Sequence, residues 1–466
     1  MVSRKPKLAA SLQKGEPQSP WKEEQLQSPA LEEPLHPPPS SDASKAAGAA
    51  QGKAPLLSSA SFQKPLLDGW DQPTDDAFGK QGEPLEEKEM EITHQQRCAA
   101  ITSDMCEMLI GEQKSYQGCL SSVAAFILER EVKDSPSNYK ETYELVALGT
   151  GDVCYEGWME FRGRRIHDMH GLVVARRALL RYFYKQLLMY CSQGPTALEK
   201  CIFCLAEDGV HLTLKPKYYL HLYLSRAPRG ASENFQTASS QPNPSVGIHV
   251  SVKGVLRPVS YCWTSVLSAY VYCVSGSDKL TRWSVLGLQG ALLSHIIHPV
   301  YITSVVLADP YQDHTILHRV INERLQLGAK EDFPKPYSQK KVHLFKGPCV
   351  APLDTPPGCC SQSLNWCGGD EMLELVNAST GKAVKDITNP GDQFCPSRLC
   401  KAAMLKSFRK VAQEMKRTDL TLLPTYHKAK IQAEAYQRAK RLVYSQLSLQ
   451  DLGEWPQKEL VDIFAS

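Results

Sequence analysis

The hydrophobic pattern of the chain changes near Thr93, where apolar residues begin to recur at regular spacing. Helical spacing predicts helices over residues 101–109, 120–128, 170–190, 397–415 and 429–447, with others starting near Trp283 and Tyr311. Apolar runs rich in β-branched and aromatic residues predict strands at 144–149, 157–161, 218–224, 269–274, 300–307 and 373–376, the first two as a pair. Strands that alternate with helices around an apolar sheet indicate one three-layer α/β domain over residues 93–466.

Residues 1–92 lack this periodicity. They hold twelve of the 31 prolines and no cysteine or tyrosine. They carry ten Lys/Arg and fifteen Asp/Glu, a net charge of −5, whereas the remainder carries 43 basic and 35 acidic residues, a net charge of +8. Such a Pro-, Ser- and Glu-rich segment cannot bury enough apolar surface to offset the entropy lost on ordering. We therefore expect a disordered tail over residues 1–92.

The most apolar stretch, the N-terminal residues and the cysteines together indicate the compartment in which the protein is found. The most apolar stretch, residues 291–308, is interrupted by His295, His298 and Pro299, so we expect no membrane-spanning segment. The basic N-terminal residues lead into no apolar segment, which predicts that there is no secretory signal. The fifteen cysteines are then expected to be reduced thiols rather than disulfides. These features predict an intracellular protein, in the nucleus, the cytoplasm or both.

Two segments resemble a known family: HDMHGLVVARR at residues 167–177, and SGSDK at 275–279 with the later pairs RW at 282–283 and QG at 289–290. Further segments agree in order, namely HLYLS at 221–225, NW at 365–366, NASTGK at 377–382, LCK at 399–401 and the stretch 426–455. Over about residues 95–460 the chain resembles the deaminase domain of the double-stranded-RNA-specific adenosine deaminases, which convert adenosine to inosine. Within that family it is similar to the germline, deaminase-like members. The resemblance implies a cytidine-deaminase-like fold with a C-terminal helical extension.

The catalytic positions of the family can be compared with this chain residue by residue. Hydrolytic deamination uses a zinc-bound water held by one His and two Cys, and a Glu that moves protons. The family carries these residues in H-A-E, P-C-G and S-C-S motifs. His170 matches the histidine, but Leu172, Arg229 and Gly276 stand in place of the glutamate and the two cysteines. Leucine cannot transfer a proton, and the charge of Arg229 would repel a divalent cation. The resemblance therefore predicts a pseudoenzyme without zinc, in which His170 is a structural residue.

Three places in the sequence offer substitute metal ligands. Cys273 precedes Gly276 by three residues, and on a strand this odd offset predicts that it faces the opposite side. His167 lies three residues before His170 but matches a family position that faces another site. The pair Cys201 and Cys204 has no second pair at zinc-site spacing, so ordinary thiols are the favoured interpretation and metal binding the alternative.

Cations lie beside the apolar stripes of two predicted helices. Arg176 and Arg177 fall within or at the edge of the apolar stripe of the helix over 170–190. Buried guanidinium groups need an anion, although their heads could also reach water or local carboxylates. In the C-terminal segment, a stripe of Tyr426, Lys430, Tyr436 and Lys440 lies opposite an apolar stripe of Ile431, Ala435, Ala439 and Leu442. On pattern alone a lysine stripe is typical of a solvated face.

The resemblance gives these cations another interpretation, because the family's RNA deaminases bury an inositol hexakisphosphate in their core. The matching positions are Arg176, Arg177, Lys279, Arg282, Trp283, Gln289, Lys401, Tyr426, Lys430, Tyr436, Lys440, Trp455 and Lys458. Departures from the family occur at His167 and Gln457. Eight of the thirteen residues are cationic, and a polyanion would satisfy them through charge-assisted hydrogen bonds. We therefore expect inositol hexakisphosphate as a buried, structural cofactor.

RNA binding is the least direct implication. Family members carry double-stranded-RNA-binding domains upstream of the deaminase domain, and residues 1–92 do not show the pattern of such a domain. The charge of +8 over residues 93–466 permits weak, salt-sensitive contact with phosphates. The predicted function is a non-catalytic protein that acts through RNA or protein partners in RNA processing, in germ cells. The alternatives are an active adenosine deaminase with an unconventional site and a scaffold that displays the tail.

Overall fold

The computed structural model describes residues 92–465, except for 112–115, 117, 136–137, 193, 232–246, 263–269, 311–312, 328–332, 350–352, 355, 357, 386–393 and 458–459. These residues belong to one compact unit, Glu86–Ser466. Lys458 and all but the last residue of the predicted tail lie outside the described residues. The division of the chain after residue 92 therefore stays a prediction.

The described residues form fourteen strands: β1 (Val123–Ser135), β2 (Asn138–Thr150), β3 (Phe203–Leu205), β4 (Leu212–Leu214), β5 (Tyr218–Leu224), β6 (His249–Val252), β7 (Val255–Pro258), β8 (Tyr272–Val274), β9 (Ser304–Leu307), β10 (His343–Lys346), β11 (Gln362–Cys367), β12 (Glu374–Asn377), β13 (Lys382–Val384) and β14 (Phe394–Cys395).

Ten α-helices occur in the same part of the chain: α1 (His94–Ile110), α2 (Gly171–Cys191), α3 (Pro195–Lys200), α4 (Gly276–Leu286), α5 (Gly290–Leu293), α6 (His314–His318), α7 (Lys401–Glu414), α8 (Thr418–Thr421), α9 (Tyr426–Ile431) and α10 (Glu434–Leu449). A π-helical turn, Arg319–Glu323, continues α6. Within the described ranges, no helix is long and apolar enough to span a bilayer.

Nine strands form one mixed sheet in the order β10-β9-β5-β1-β2-β11-β12-β13-β14. β9 runs parallel to both β5 and β10, and the other neighbours are antiparallel. Alternate residues of β1 enter different cores: Phe126 packs in the core that contains α2 and α7, whereas Ile127 packs in the core that contains α1. The sheet therefore has helices on both faces, which confirms the predicted three-layer α/β architecture. A separate three-stranded sheet has the order β7-β6-β8.

The segment 120–128 was expected to be helical, and this prediction is wrong. The structure places most of it in β1, at the centre of the large sheet. The first six residues of β1, Val123–Leu128, are buried with both faces covered, and all six are apolar. Such a run cannot be assigned to a helix or a strand by its period.

The predicted strand over 157–161 is also absent. β2 pairs with β1 and β11 instead, and the segment 157–161 contributes a single bridge, between Trp158 and Tyr270. Aromatic residues in this segment resemble a strand in composition, but Trp158 and Phe161 point into solvent rather than into a core.

The C-terminal helix expected over 429–447 is divided into α9 and α10 by Gln432 and Ala433, because Ala433 has a non-helical ψ of 71°. The break shifts the phase of the helix, so Ile431 and Ala435 are exposed although both were placed in the apolar stripe. By contrast, the amphipathic helix predicted over 170–190 is α2, with the expected face buried.

Candidate functional site

A cavity of about 570 Å³ lies where the three degenerate motifs converge. His170 immediately precedes α2, and Gly276 is the first residue of α4, whose N-cap is the Ser275 hydroxyl. Arg229 follows β5, on the neighbouring edge of the cavity. His170, Leu172, Arg229 and Gly276 all line this cavity, which we call the degenerate cavity.

Apolar groups line the space between the motifs. Leu172 is buried, and its Cδ2 lies 3.5 Å from the position that a Cβ on Gly276 would take. The same Cβ would lie 3.1 Å from Cβ of Pro228. The Arg229 side chain is exposed rather than directed into the interior, so its charge lies at the edge of the cavity. Of the four positions that hold zinc and the catalytic acid in the family, only His170 offers a donor, and this set does not fit a zinc ion.

His170 is held by a carboxylate. Its Nδ1 lies 2.7 Å from Oδ1 of Asp168, whose other oxygen accepts a hydrogen bond from Nζ of Lys279. Burial opposes ionisation of Asp168, but Lys279 and His170 outweigh it and hold the pKa of the carboxyl far below its usual range. The three residues form a hydrogen-bonded chain in the wall of the degenerate cavity.

Cysteine side chains lie behind His170, and sequence analysis placed one of them wrongly. The ligand atoms of Cys154, Asp168 and Cys273 lie within 4.8 Å of one another, and Cys154 Sγ is 3.7 Å from His170 Nδ1. Cys273 was expected on the opposite face, but β8 is only three residues long and its middle residue lies in the wall between two cavities. The hydrogen bond to Cys273 and burial raise the pKa of the Cys154 thiol well above its usual range.

The other candidate ligands take no part in this cluster. His167 lines a second cavity, and its ring stacks on Tyr155. The Cys201 thiol donates to the Gln186 carbonyl at 3.4 Å, and all fifteen cysteines are free. Neither Cys201 nor Cys204 belongs to a potential metal cluster among the described residues.

The second cavity, of about 450 Å³, is lined by every described residue of the set that the family resemblance implied for the polyphosphate; we call it the cation cavity. Those residues are Arg176, Arg177, Lys279, Arg282, Trp283, Gln289, Lys401, Tyr426, Lys430, Tyr436, Lys440 and Trp455. They come from α2, α4, α7, α9, α10 and the segments that follow α4 and α10. The cavity therefore joins helices that are more than 200 residues apart in the chain.

Two carboxylates, Asp168 and Asp462, also line the cation cavity. Sequence analysis did not identify Asp462. Asp462 lies 2.6 Å from Nζ of Lys401 and also pairs with Lys430, while Asp168 pairs with Lys279. Burial opposes ionisation of Asp462, but Lys430 and Lys401 outweigh it and lower its pKa. Seven cations and two carboxylates line the cavity, which leaves an excess of five positive charges.

The excess charge is carried by groups that lack full hydrogen bonding. Nε of Arg176 and of Arg282 are buried without a hydrogen-bond partner, and the two guanidinium groups lie 5.1 Å from the rings of Trp283 and Trp455. Burial, with a contribution from Arg282, lowers the pKa of Arg176 to about 10.

The charge of Lys440 is also unfavourably buried, because burial and the charges of Arg282 and Lys430 lower the pKa of its ammonium to about 8. The unpartnered Nε of Arg176 and the depressed pKa values of Arg176 and Lys440 indicate missing negative charge near these two cations. Burial opposes the charge of Arg282, but Tyr444 and Tyr436 outweigh it and raise the pKa of this guanidinium. Burial likewise opposes the charge of Lys430, but Asp462 outweighs it and raises the pKa of this ammonium. The residues present fit a polyanion such as a polyphosphate. Gln289 differs from the rest of the set, because its amide already bonds the backbone of Leu286 and Val300.

Two further clusters of titratable groups lie away from both cavities. Glu129, His221, Ser304 and His94 form a continuous set of hydrogen bonds of 2.8, 2.8 and 3.0 Å. On the surface, Asp208 contacts His211 and His298 at 2.7 and 2.9 Å. The polar atoms named here satisfy one another, so these clusters need no ligand.

Comparison with known proteins identifies a matching family. Residues 147–459 match the family described as the adenosine-deaminase (editase) domain. The chain belongs to this family. It is 30% identical over 337 residues to the Double-stranded RNA-specific editase Adar of Drosophila melanogaster, covering 68% of this chain and 48% of that protein. It is 31% identical over 374 residues to the Double-stranded RNA-specific adenosine deaminase of Mus musculus, covering 72% of this chain and 30% of that protein.

A more distant member of the family is the tRNA-specific adenosine deaminase 1 of Homo sapiens, 27% identical over 205 residues, or 39% of each chain. This editase-family chain thus spans half or less of the length of these relatives.

Proposed function

We propose that this editase-family chain is a non-catalytic, deaminase-like protein that acts in RNA processing by binding RNA and protein partners. The single observation that carries the proposal is the replacement of donor groups by Leu172 and Gly276 in the wall of the degenerate cavity. Leu172 stands where the family has its proton-transferring glutamate, and its side chain lies 3.5 Å from the Cβ position of Gly276, where the family has a zinc ligand. Without a metal-bound water and a general base, hydrolytic deamination loses both of its activating groups.

RNA is proposed as the partner because the names of the relatives specify double-stranded RNA or tRNA. We propose weak RNA binding by the described domain, since its excess of basic residues supports salt-sensitive contact with phosphates. We further propose that the protein is an intracellular germ-cell member of the family, in the nucleus, the cytoplasm or both. Crosslinking the endogenous protein and sequencing the attached RNA would identify the targets. Recovery of no RNA above the uncrosslinked control would contradict an RNA-binding role.

Activity is tested by incubating purified protein with duplex RNA and measuring inosine after digestion to nucleosides. We expect inosine at the level of the no-enzyme control. Leu172→Glu should remain equally inactive, because a glutamate without a metal-bound water has nothing to deprotonate. Leu172→Gln is the matched variant without the carboxylate. Inosine above the control in the unmodified protein would refute the proposal.

A second candidate function, an active deaminase with a relocated metal, is favoured by one observation. Cys154, Asp168 and Cys273 lie together beside His170, and thiolates with a carboxylate are zinc ligands in other proteins. Against it, Asp168 is already paired with the Lys279 ammonium, whose charge opposes a divalent cation. We therefore propose that the protein holds no zinc. Elemental analysis after purification without chelators should find well under one zinc per chain. One full equivalent that is lost in Cys273→Ser would instead support the relocated site.

We also propose that inositol hexakisphosphate fills the cation cavity and is part of the folded core. Support comes from the excess of five positive charges and from the unpartnered Nε atoms of Arg176 and Arg282. Denaturing the purified protein and assaying the supernatant by mass spectrometry should release about one hexakisphosphate per chain. Lys430→Ala should give insoluble or protease-sensitive protein, whereas the exposed Lys406→Ala should not. Folded, soluble protein that releases no polyphosphate would refute this cofactor.

A further inference from the structure

A stacked aromatic pair with an exposed tryptophan lies at the edge of the small sheet that forms part of the wall of the degenerate cavity. Trp158 is 66% exposed, and its ring lies 4.8 Å from that of Tyr270 with an angle of 23° between the planes. Nζ of Lys253 lies 4.0 Å from the centroid of the Tyr270 ring. One face of the indole is therefore stacked, and the rest of this large apolar side chain is open to solvent. An aromatic side chain with an open ring face offers a large apolar surface for stacking.

The backbone fixes this arrangement. Trp158 and Tyr270 form an antiparallel bridge, and the amide of Val271 donates to the Gly157 carbonyl at 3.4 Å. Lys253 and Gly254 make the two-residue turn between β6 and β7, with φ values of 48° and 74° that are typical of a type I′ hairpin. The three residues Trp158, Tyr270 and Lys253, which we call the aromatic platform, thus lie at the edge of the sheet β7-β6-β8.

The same small sheet forms part of the wall of the degenerate cavity. Ser251 of β6, Leu256 of β7 and Val274 of β8 line that cavity. Tyr270 and Val274 are four residues apart on one extended segment, a separation of about 13 Å. A single extended strand of nucleic acid is long enough to contact the platform and the mouth of the cavity together.

Exposed cations lie on the two segments that carry the platform. Arg257 lies on β7 opposite Val250, and Arg162 and Arg164 follow Trp158 along the chain. The acidic groups on these two segments are Glu156 and Glu160, so the segments carry more positive than negative charge. Phosphates are attracted by such a surface, while apolar protein partners gain little from it.

We propose that the aromatic platform is a base-stacking site for single-stranded RNA. An unpaired base lies on the open face of Trp158, and the adjoining phosphate contacts Lys253. The ligand is single-stranded because the bases of a duplex are already stacked on one another and their faces are closed. The site rests on the proposed role in RNA binding and adds the class of RNA that this face recognises.

The test is fluorescence anisotropy of a labelled adenosine oligomer of about ten nucleotides, a length typical of single-stranded sites. Trp158→Ala should weaken binding roughly 5- to 150-fold, the range expected from loss of one base–aromatic stack. Trp158→Phe should retain an intermediate affinity, since a smaller ring still stacks. Tyr261→Ala is the matched control, because Tyr261 is 74% exposed but lies outside the platform, and it should bind as the unmodified protein does. Lys253→Ala should reduce the slope of log affinity against log salt concentration by about one.

Unchanged binding of the single strand by Trp158→Ala would overturn the proposal, as would an unmodified protein that binds no single strand. So would a loss of affinity in Trp158→Ala that is confined to duplex RNA, or to protein partners. These outcomes are separate from the test of catalytic inactivity, because inosine formation is measured independently of the anisotropy. If the unmodified protein formed inosine while Trp158→Ala still weakened binding of the single strand, the absence of catalysis would be refuted and the platform would not.

Discussion

Replacing Arg176 by methionine should change stability in opposite directions with and without the polyphosphate. The variant Arg176→Met removes the charge but keeps an unbranched side chain that can still pack on Trp283, 5.1 Å from the guanidinium. Without a polyanion, burial lowers the Arg176 pKa from 12.5 to about 10. At neutral pH this corresponds to about 3 kcal/mol of unfavourable free energy, which the variant would recover less a cation–π term of about 1 kcal/mol.

With inositol hexakisphosphate bound, the same arginine would make charge-assisted hydrogen bonds, each worth about 1.5–3 kcal/mol. Arg176→Met should then destabilise the protein by roughly that amount. The sign of the change in unfolding free energy therefore depends on the ligand. The measurement is urea unfolding, and the yield of soluble protein on refolding, with an excess of inositol hexakisphosphate and with none.

Arg438→Met is the matched control, because Arg438 is an exposed residue of α10. It should change stability little in either condition. If Arg176→Met destabilised the protein equally with and without the polyphosphate, the arginine would be satisfied by protein groups alone. The reasoning from unpaired charge in the cation cavity would then be wrong.

Three other outcomes follow from the geometry. Gly276→Cys should cost about 1–3 kcal/mol by thermal unfolding, since its Cβ would lie 3.1 Å from Pro228 Cβ; adding Pro228→Gly, which removes the contacted atom, should reduce that cost, and strictly additive costs would contradict the close contact. Without the polyphosphate, the unfolding free energy should rise between pH 8 and about 10.5, because the unfolded chain binds a proton that Lys440, with its pKa lowered to about 8, does not; Lys440→Met should abolish this rise. The pKa of Asp462 is lowered below 3.8, so the stability from this carboxylate should be complete above that pH and lost below it; Asp462→Asn should flatten the acid limb of the stability curve.

Sequence periodicity predicted those elements that bury one face only. In α2 the apolar residues, such as Leu179, Phe183 and Leu187, recur at helical spacing, so the helix and its buried side could be identified. The same method failed for β1, because covering both faces of this strand removes the alternation of apolar and polar residues that distinguishes a strand from a helix. The break at Ala433 carries no proline or glycine that would have marked it.

The candidate site was predicted where residues form motifs and missed where single residues meet across the chain. His170, Leu172 and Gly276 belong to recognisable segments, and the structure brings them together as expected. Asp462 contacts Lys401 from 61 positions further along the chain, with no local pattern around it. Cys154 meets Cys273 in the same way. Such pairs are created by tertiary packing, which the spacing of residues along one segment does not encode.

The contact between Leu172 and the Gly276 position has a consequence for how this chain can change in evolution. A cysteine at residue 276 would place its Cβ 3.1 Å from Pro228 Cβ, while a glutamate at residue 172 would place a carboxylate in a buried position without a metal to pair with it. We therefore expect each single reversal to lower stability without restoring activity. The proposed loss of catalysis would then be hard to reverse one residue at a time, because the positions at 172 and 276 depend on a metal that neither can restore alone.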